Sequence, residues 1–128
     1  MSRWLCSAII IAVLLLGCAS TPPQVEAGRA AYHRGDYRTA WNEWQTCANQ
    51  GEPVCMAAIG AGFEAGRFPA TNQLQEAIRW YTLSARYGFG GAKHRLAVLG
   101  QPIPPADLAP APIALRGLEG VGEALGQA

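Results

Sequence analysis

The residues best equipped for chemistry in this 128-residue chain are few. Cys47 and Cys55 have seven residues between them, and Cys6 and Cys18 lie near the start. Two thiols at that separation can bond to each other, take part in metal or redox chemistry, or stay reduced in a core. His33 and His94 have no acidic or cysteine neighbour at metal-ligand spacing and read as helix-surface residues. Ser84-Ala85-Arg86-Tyr87 lacks the lysine of a Ser-x-x-Lys pattern, and no Gly-x-Ser-x-Gly elbow occurs. Gly88-Phe89-Gly90-Gly91-Ala92-Lys93 lacks the Gly-Lys-Ser/Thr ending of a phosphate loop and follows no strand, so it reads as a helix-to-helix turn. Glu43, Glu64 and Glu76 read as single carboxylates on solvated faces. No catalytic residue, metal site or cofactor is expected.

Cys18 stands apart, because of what precedes it. Arg3 is a short positive start, Trp4 to Leu16 is nearly all apolar, and small Gly17 sits beside the cysteine, which is the layout of an export signal. Thirteen apolar residues fall short of the ~20 that cross a bilayer, and Ala19-Ser20-Thr21-Pro22-Pro23 carries no stop-transfer charge. Leu15-Leu16-Gly17-Cys18 resembles the lipobox of bacterial lipoproteins. The resemblance implies cleavage before Cys18, a diacylglycerol thioether on its sulfur and further acylation of its amine. Two or three chains on one residue make a stable anchor. Ala19 after the cysteine implies sorting to the outer membrane. An ordinary cleaved secretory signal is the alternative.

Loss of residues 1–17 leaves 111, enough for one small domain. Of ten Lys and Arg, Arg3 leaves with the signal, so nine cations face nine Asp and Glu. Such a balance draws in neither nucleic acid nor acidic lipid over long range. Residues 18–24 read as a short polar tether, 25–100 as a helical domain and 101–128 as a Pro/Gly-rich tail. Ile113, Leu118, Val121 and Leu125 lie at roughly helical spacing in that tail, while Gly117, Gly120, Gly122 and Gly126 oppose a helix.

Within the helical part, Tyr37, Ala40, Trp41, Trp44 and Ala48 recur at three- and four-residue steps, as do Leu74, Ala77, Ile78, Tyr81 and Ala85. Five helices are expected, near 24–34, 37–50, 54–65, 73–87 and 90–99. A shift of 37 residues pairs Ala40 with Ala77, Trp44 with Tyr81, Gly51 with Gly88, Cys55 with Ala92 and Ile59 with Leu96. Self-similarity at a fixed period is the mark of a repeat architecture.

Tyr32-His33-Arg34-Gly35-Asp36-Tyr37-Arg38-Thr39-Ala40, Trp44 through Ala48 to Gly51, and Glu76-Ala77-Ile78-Arg79-Trp80-Tyr81 through Ala85 to Gly88 and Ala92 resemble Sel1-like repeats, a branch of the tetratricopeptide-like repeats. Phe68-Pro69-Ala70-Thr71-Asn72 replaces the Gly-Val-x-x-Asp turn usual in that family. The resemblance implies an all-α fold, a short α/α helical-repeat array of about two repeats. The Cys47 and Cys55 spacing resembles that of the family's cysteine-rich secreted members, in which the end of one helix is bonded to the start of the next. An exported chain meets an oxidising compartment, and the Asn49 to Pro53 turn can bring the two Cα atoms within about 6 Å. Two reduced core cysteines are the alternative.

Trp41, Trp44, Phe63 and Tyr81 sit at core spacing. Trp80 and Tyr87 lie off the main stripe, and with Arg29 and His33 they are the candidate partner-binding residues. The expected function is a membrane-anchored, non-enzymatic protein-protein interaction module of the bacterial cell envelope, at the periplasmic face of the outer membrane, with an envelope protein or peptide as partner. Some cysteine-rich members of the resembled family are assigned as β-lactamases, so a cell-wall or β-lactam-directed hydrolase is the alternative.

Overall fold

A computed structural model describes residues 21–108; Cys18, the lipobox-like motif that ends at it and the tail from residue 109 lie outside them. The described residues form five helices: α1 (Pro23–His33), α2 (Tyr37–Asn49), α3 (Pro53–Glu64), α4 (Gln73–Arg86) and α5 (Gly90–Val98). The starts follow local chemistry. Proline opens α1 and α3, where its missing N–H would have no helical partner. Asp36 and Asn72 cap α2 and α4 by accepting from the backbone N–H of Thr39 at 3.1 Å and of Gln75 at 3.2 Å.

All five helices end in the same way. Gly35, Gly51, Gly66, Gly88 and Gly100 take φ between 67° and 86°, a conformation that costs other L-residues but not glycine. At each, the following N–H reaches back to a carbonyl in the last turn, as Asp36 does to Ala31 at 2.9 Å and Arg67 to Gly62 at 2.9 Å. The chain therefore reverses within a few residues each time, and consecutive helices become neighbours in space.

Helices pack most extensively within the pairs α1–α2 and α3–α4. Each pair is seated by an aromatic ring on a glycine. The Trp44 indole lies against Gly28, where a Cβ would collide with it, and donates its N–H to the Val25 carbonyl at 3.2 Å. Tyr81 covers Gly60 in the same fashion, 2.9 Å from where a Cβ would stand. Trp44 and Tyr81 are partners under the 37-residue shift, and so are the buried pairs Ala40 with Ala77, Cys55 with Ala92 and Ile59 with Leu96. The sequence period is thus a structural one, with matched residues filling matched places. Leu74 departs from the expected face: it lies in the first turn of α4 and is half exposed.

Cys47 and Cys55 form a disulfide, their Cα atoms 5.9 Å apart, and both are fully buried. It joins the last turn of α2 to the first turn of α3. Ser84, also fully buried, ties α4 to the same place by donating to the Pro53 carbonyl at 2.7 Å. Beyond Gly100 the backbone runs without a helix to Leu108. This segment still touches the helices: the Leu108 N–H donates to the Arg86 carbonyl at 3.0 Å, and Asp107 accepts from Arg86 Nε at 2.8 Å and Nη2 at 2.9 Å.

Closing so short a loop in the unfolded chain stabilises the fold by about 2.5 kcal/mol. Replacement of both Cys47 and Cys55 by Ala is expected to lower the unfolding free energy by about that much in urea titrations followed by circular dichroism. An unchanged midpoint would show that the bond constrains nothing.

Candidate partner-binding face

The loop between α3 and α4 shapes a concave surface, and it does so through one ring. Phe68 is 2 % exposed and lies edge-on to Trp41 at 5.2 Å, Phe63 at 5.6 Å, Trp44 at 6.3 Å and Tyr32 at 6.4 Å between ring centres. Such edge contacts are the favoured arrangement of aromatic quadrupoles. The ring fits because Gly62 has no Cβ, which would overlap it.

Above this cluster opens a groove of about 420 Å³. Tyr37, Trp41, Phe63, Phe68 and Pro69 give it apolar walls, and Arg38 and Arg67 supply its only charges. The Arg67 guanidinium lies over the Tyr37 ring, 5.2 Å from its centre. A second hollow of about 590 Å³ lies along α4, between Trp80, Leu83, Thr82, Arg79 and Arg86. The Trp41 and Trp80 rings meet edge-to-face at 6.4 Å, so one residue from each hollow joins them. The Trp80 Nε1–H is buried with no hydrogen-bond partner among the described residues.

The arginines of the two hollows differ in their company. Arg79 pairs with Glu76 at 3.0 Å and Arg86 with Asp107 at 2.8 Å. The Arg86 pair lowers the Asp107 carboxyl below its ordinary value. Arg38 and Arg67 have no carboxylate partner among the described residues.

Of the four residues singled out from sequence, Trp80 alone lines either hollow. Arg29 and His33 are exposed on α1, Arg29 beside Glu26 at 3.7 Å. Tyr87 is half-buried at the end of α4, its ring against Gly51. Trp44, Phe63 and Tyr81 are buried as their spacing implies, whereas Trp41 is only half-buried and faces the groove. Tyr37, Arg38, Arg67, Phe68 and Pro69 were not singled out as a surface. The available signal was Phe68-Pro69, the start of the stretch that departs from the turn of the repeats this chain resembles.

Two expectations about carboxylates are corrected. Glu64 is not a solvated single charge: its side chain is 22 % exposed and accepts from Tyr81 Oη at 2.8 Å and from Arg95 Nε at 2.8 Å, with Arg95 Nη2 on its other oxygen. Sequence separations of 17 and 31 residues hide that triad from a local reading. Chiefly the Arg95 bond, helped by Tyr81, holds the Glu64 carboxyl below 4.5 against the opposing effect of burial. Burial, then the Glu64 bond, pushes the Tyr81 phenol well above its usual 10. Glu76 is likewise paired, with Arg79.

His94 is exposed on α5, and the described residues contain no group of three or more His, Cys, Asp or Glu placed to hold a metal. No helix among them is long and apolar enough to cross a membrane. No family model matches the chain, and neither a curated protein nor a solved structure matches it.

Because the folded Glu64 value is depressed, its contribution to stability is present above about pH 4.5 and is lost as pH falls through the folded value. Glu64→Gln is therefore expected to unfold more easily than wild type at neutral pH and to lose less stability on acidification. Urea midpoints followed from pH 7 to pH 3 check this, and parallel pH profiles would contradict it.

Proposed function

We propose that this chain is a membrane-anchored, non-enzymatic protein-protein interaction module of the bacterial cell envelope, built from Sel1-like repeats and held by lipid on Cys18. The observation that carries this reading is the aromatic and arginine-rich face shared by α2, α4 and the loop before α4. Trp, Tyr and Arg are the residue types that dominate binding energy at protein interfaces. Paired helices with matched residues at a 37-residue period support the repeat assignment. The Leu-Leu-Gly-Cys motif supports the anchor, and the disulfide suits an oxidising compartment outside the cytoplasm.

Geometry adds a constraint to the anchor. Four residues, 19 to 22, separate the lipidated position from α1, which makes five Cα-to-Cα steps. Fully extended they span roughly 18 Å, so the partner must be reachable close to the bilayer surface. Ala19, rather than an aspartate, after Cys18 supports sorting to the outer membrane.

A photo-crosslinking residue placed at Thr82, on this face, is expected to capture a reproducible envelope protein in cells, while one at exposed Arg29 does not. Cys18→Ser should move the protein out of the membrane fraction and lower that yield. Equal, non-specific crosslinking from both positions would defeat the interaction reading, and membrane retention of the Cys18 variant would defeat the anchor.

A further inference from the structure

We infer that the Trp41 groove takes an acidic peptide segment: a large aliphatic or aromatic side chain enters between Trp41, Phe63 and Pro69, and a neighbouring Asp or Glu pairs with Arg38 and Arg67. This rests on the reading of the chain as an interaction module and specifies the chemistry of its partner.

Charge selects the ligand. The groove holds two arginines and no carboxylate, while the hollow along α4 holds two arginines that are already paired. At the first site an incoming acidic side chain therefore meets two arginines that no carboxylate among the described residues pairs directly, Arg38 having only Asp36 beyond salt-bridge distance; at the second it must displace Glu76 or Asp107. Complementarity of this kind sets specificity and orientation. Arg67 is also preorganised, since stacking on Tyr37 holds its guanidinium before anything binds. A side chain that is already ordered loses less entropy on making its hydrogen bonds.

The walls select what accompanies the charge. Apart from the two arginines, the Tyr37 hydroxyl and the Trp41 indole N–H are the only polar side-chain groups in the lining. A small polar metabolite would find few groups to orient it, whereas sites for small ligands place several convergent polar groups. A volume of about 420 Å³ suits one or two apolar side chains of a longer segment that continues over the surface. Nucleic acid also combines flat apolar faces with anionic groups. It asks for a basic stripe along its backbone, and this chain balances its charges to a net +1 with two unpaired arginines at the groove.

The probe is a fluorescein-labelled mixture of acetylated, amidated hexapeptides, glutamate at the outer positions and Phe, Leu, Ile or Trp randomised at the two central ones. Anisotropy with the purified full chain is expected to show saturable binding that weakens with salt. Glutamine in place of glutamate should weaken it about tenfold, and Arg67→Gln or Arg38→Gln should each weaken the glutamate mixture by a similar factor, with unchanged circular dichroism. Arg29→Gln, exposed on α1 and lining neither hollow, should leave the affinity within about twofold. Equal binding of the glutamate and glutamine mixtures, or binding of neither, overturns the inference. Tighter binding of a thymidine oligonucleotide or of phosphatidylglycerol vesicles overturns it in favour of those ligands. If crosslinking from Thr82 still captures a reproducible protein while the acidic mixture fails, the ligand chemistry falls and the interaction reading stands. If both fail, the reading itself falls.

Discussion

The closure of Phe68 onto Gly62 is the contact on which the rest of this small structure depends. A loop residue supplies the ring that touches α1 through Tyr32, α2 through Trp41 and Trp44, and α3 through Phe63. No helix–helix contact alone joins so many elements. The position also decides the surface, because the same ring is the floor of the groove between Trp41 and Pro69. Core and candidate binding face are therefore two sides of one aromatic cluster. A partner seated in the groove would press on the residues that hold the helices together.

A repeat array this short needs such concentrated contacts. Repeat proteins gain stability from interfaces between neighbouring units, and two units provide few of them. Here the deficit is met by cross-links of several kinds placed where helices meet. The Cys47–Cys55 bond and the Ser84 hydroxyl both fix the first turn of α3, one to α2 and the other to α4. Glu64 fixes the other end of α3, accepting from Tyr81 on α4 and Arg95 on α5. The α3 helix is thus held at both ends, and the loop that follows it can place Phe68 and Arg67 with little freedom.

Much of this was legible in the sequence because it is local or periodic. The three- and four-residue apolar spacing from Tyr37 to Ala48 and from Leu74 to Ala85 marks α2 and α4, and the five expected helices lie within a residue of those observed. The 37-residue period was legible for the same reason, since Ala40 and Ala77 or Trp44 and Tyr81 occupy equivalent buried places. What escaped was long-range. Glu64 looks solitary until the fold brings Tyr81 and Arg95 to it, and Arg38 gains its meaning only when Arg67 and Phe68 arrive from another loop. Spacing on one helix separates core from surface but does not say which half-buried residue, Trp41 here, faces a groove. Arg29, His33 and Tyr87 were chosen from just such one-helix reasoning, and the fold sets them apart from the hollows.

The central claim, that Phe68 and Gly62 form one interlocked contact, is most directly tested by a double-mutant cycle. Gly62→Ala, Phe68→Ala and the double variant are compared with wild type by urea unfolding, all four in the same concentration of sucrose so that each stays folded. The account predicts that Gly62→Ala costs about 2 kcal/mol or more in the presence of Phe68, where the new methyl group must displace the ring. Once Phe68 is alanine, it predicts a cost within about 0.5 kcal/mol of zero. Additive effects of the two substitutions would contradict it.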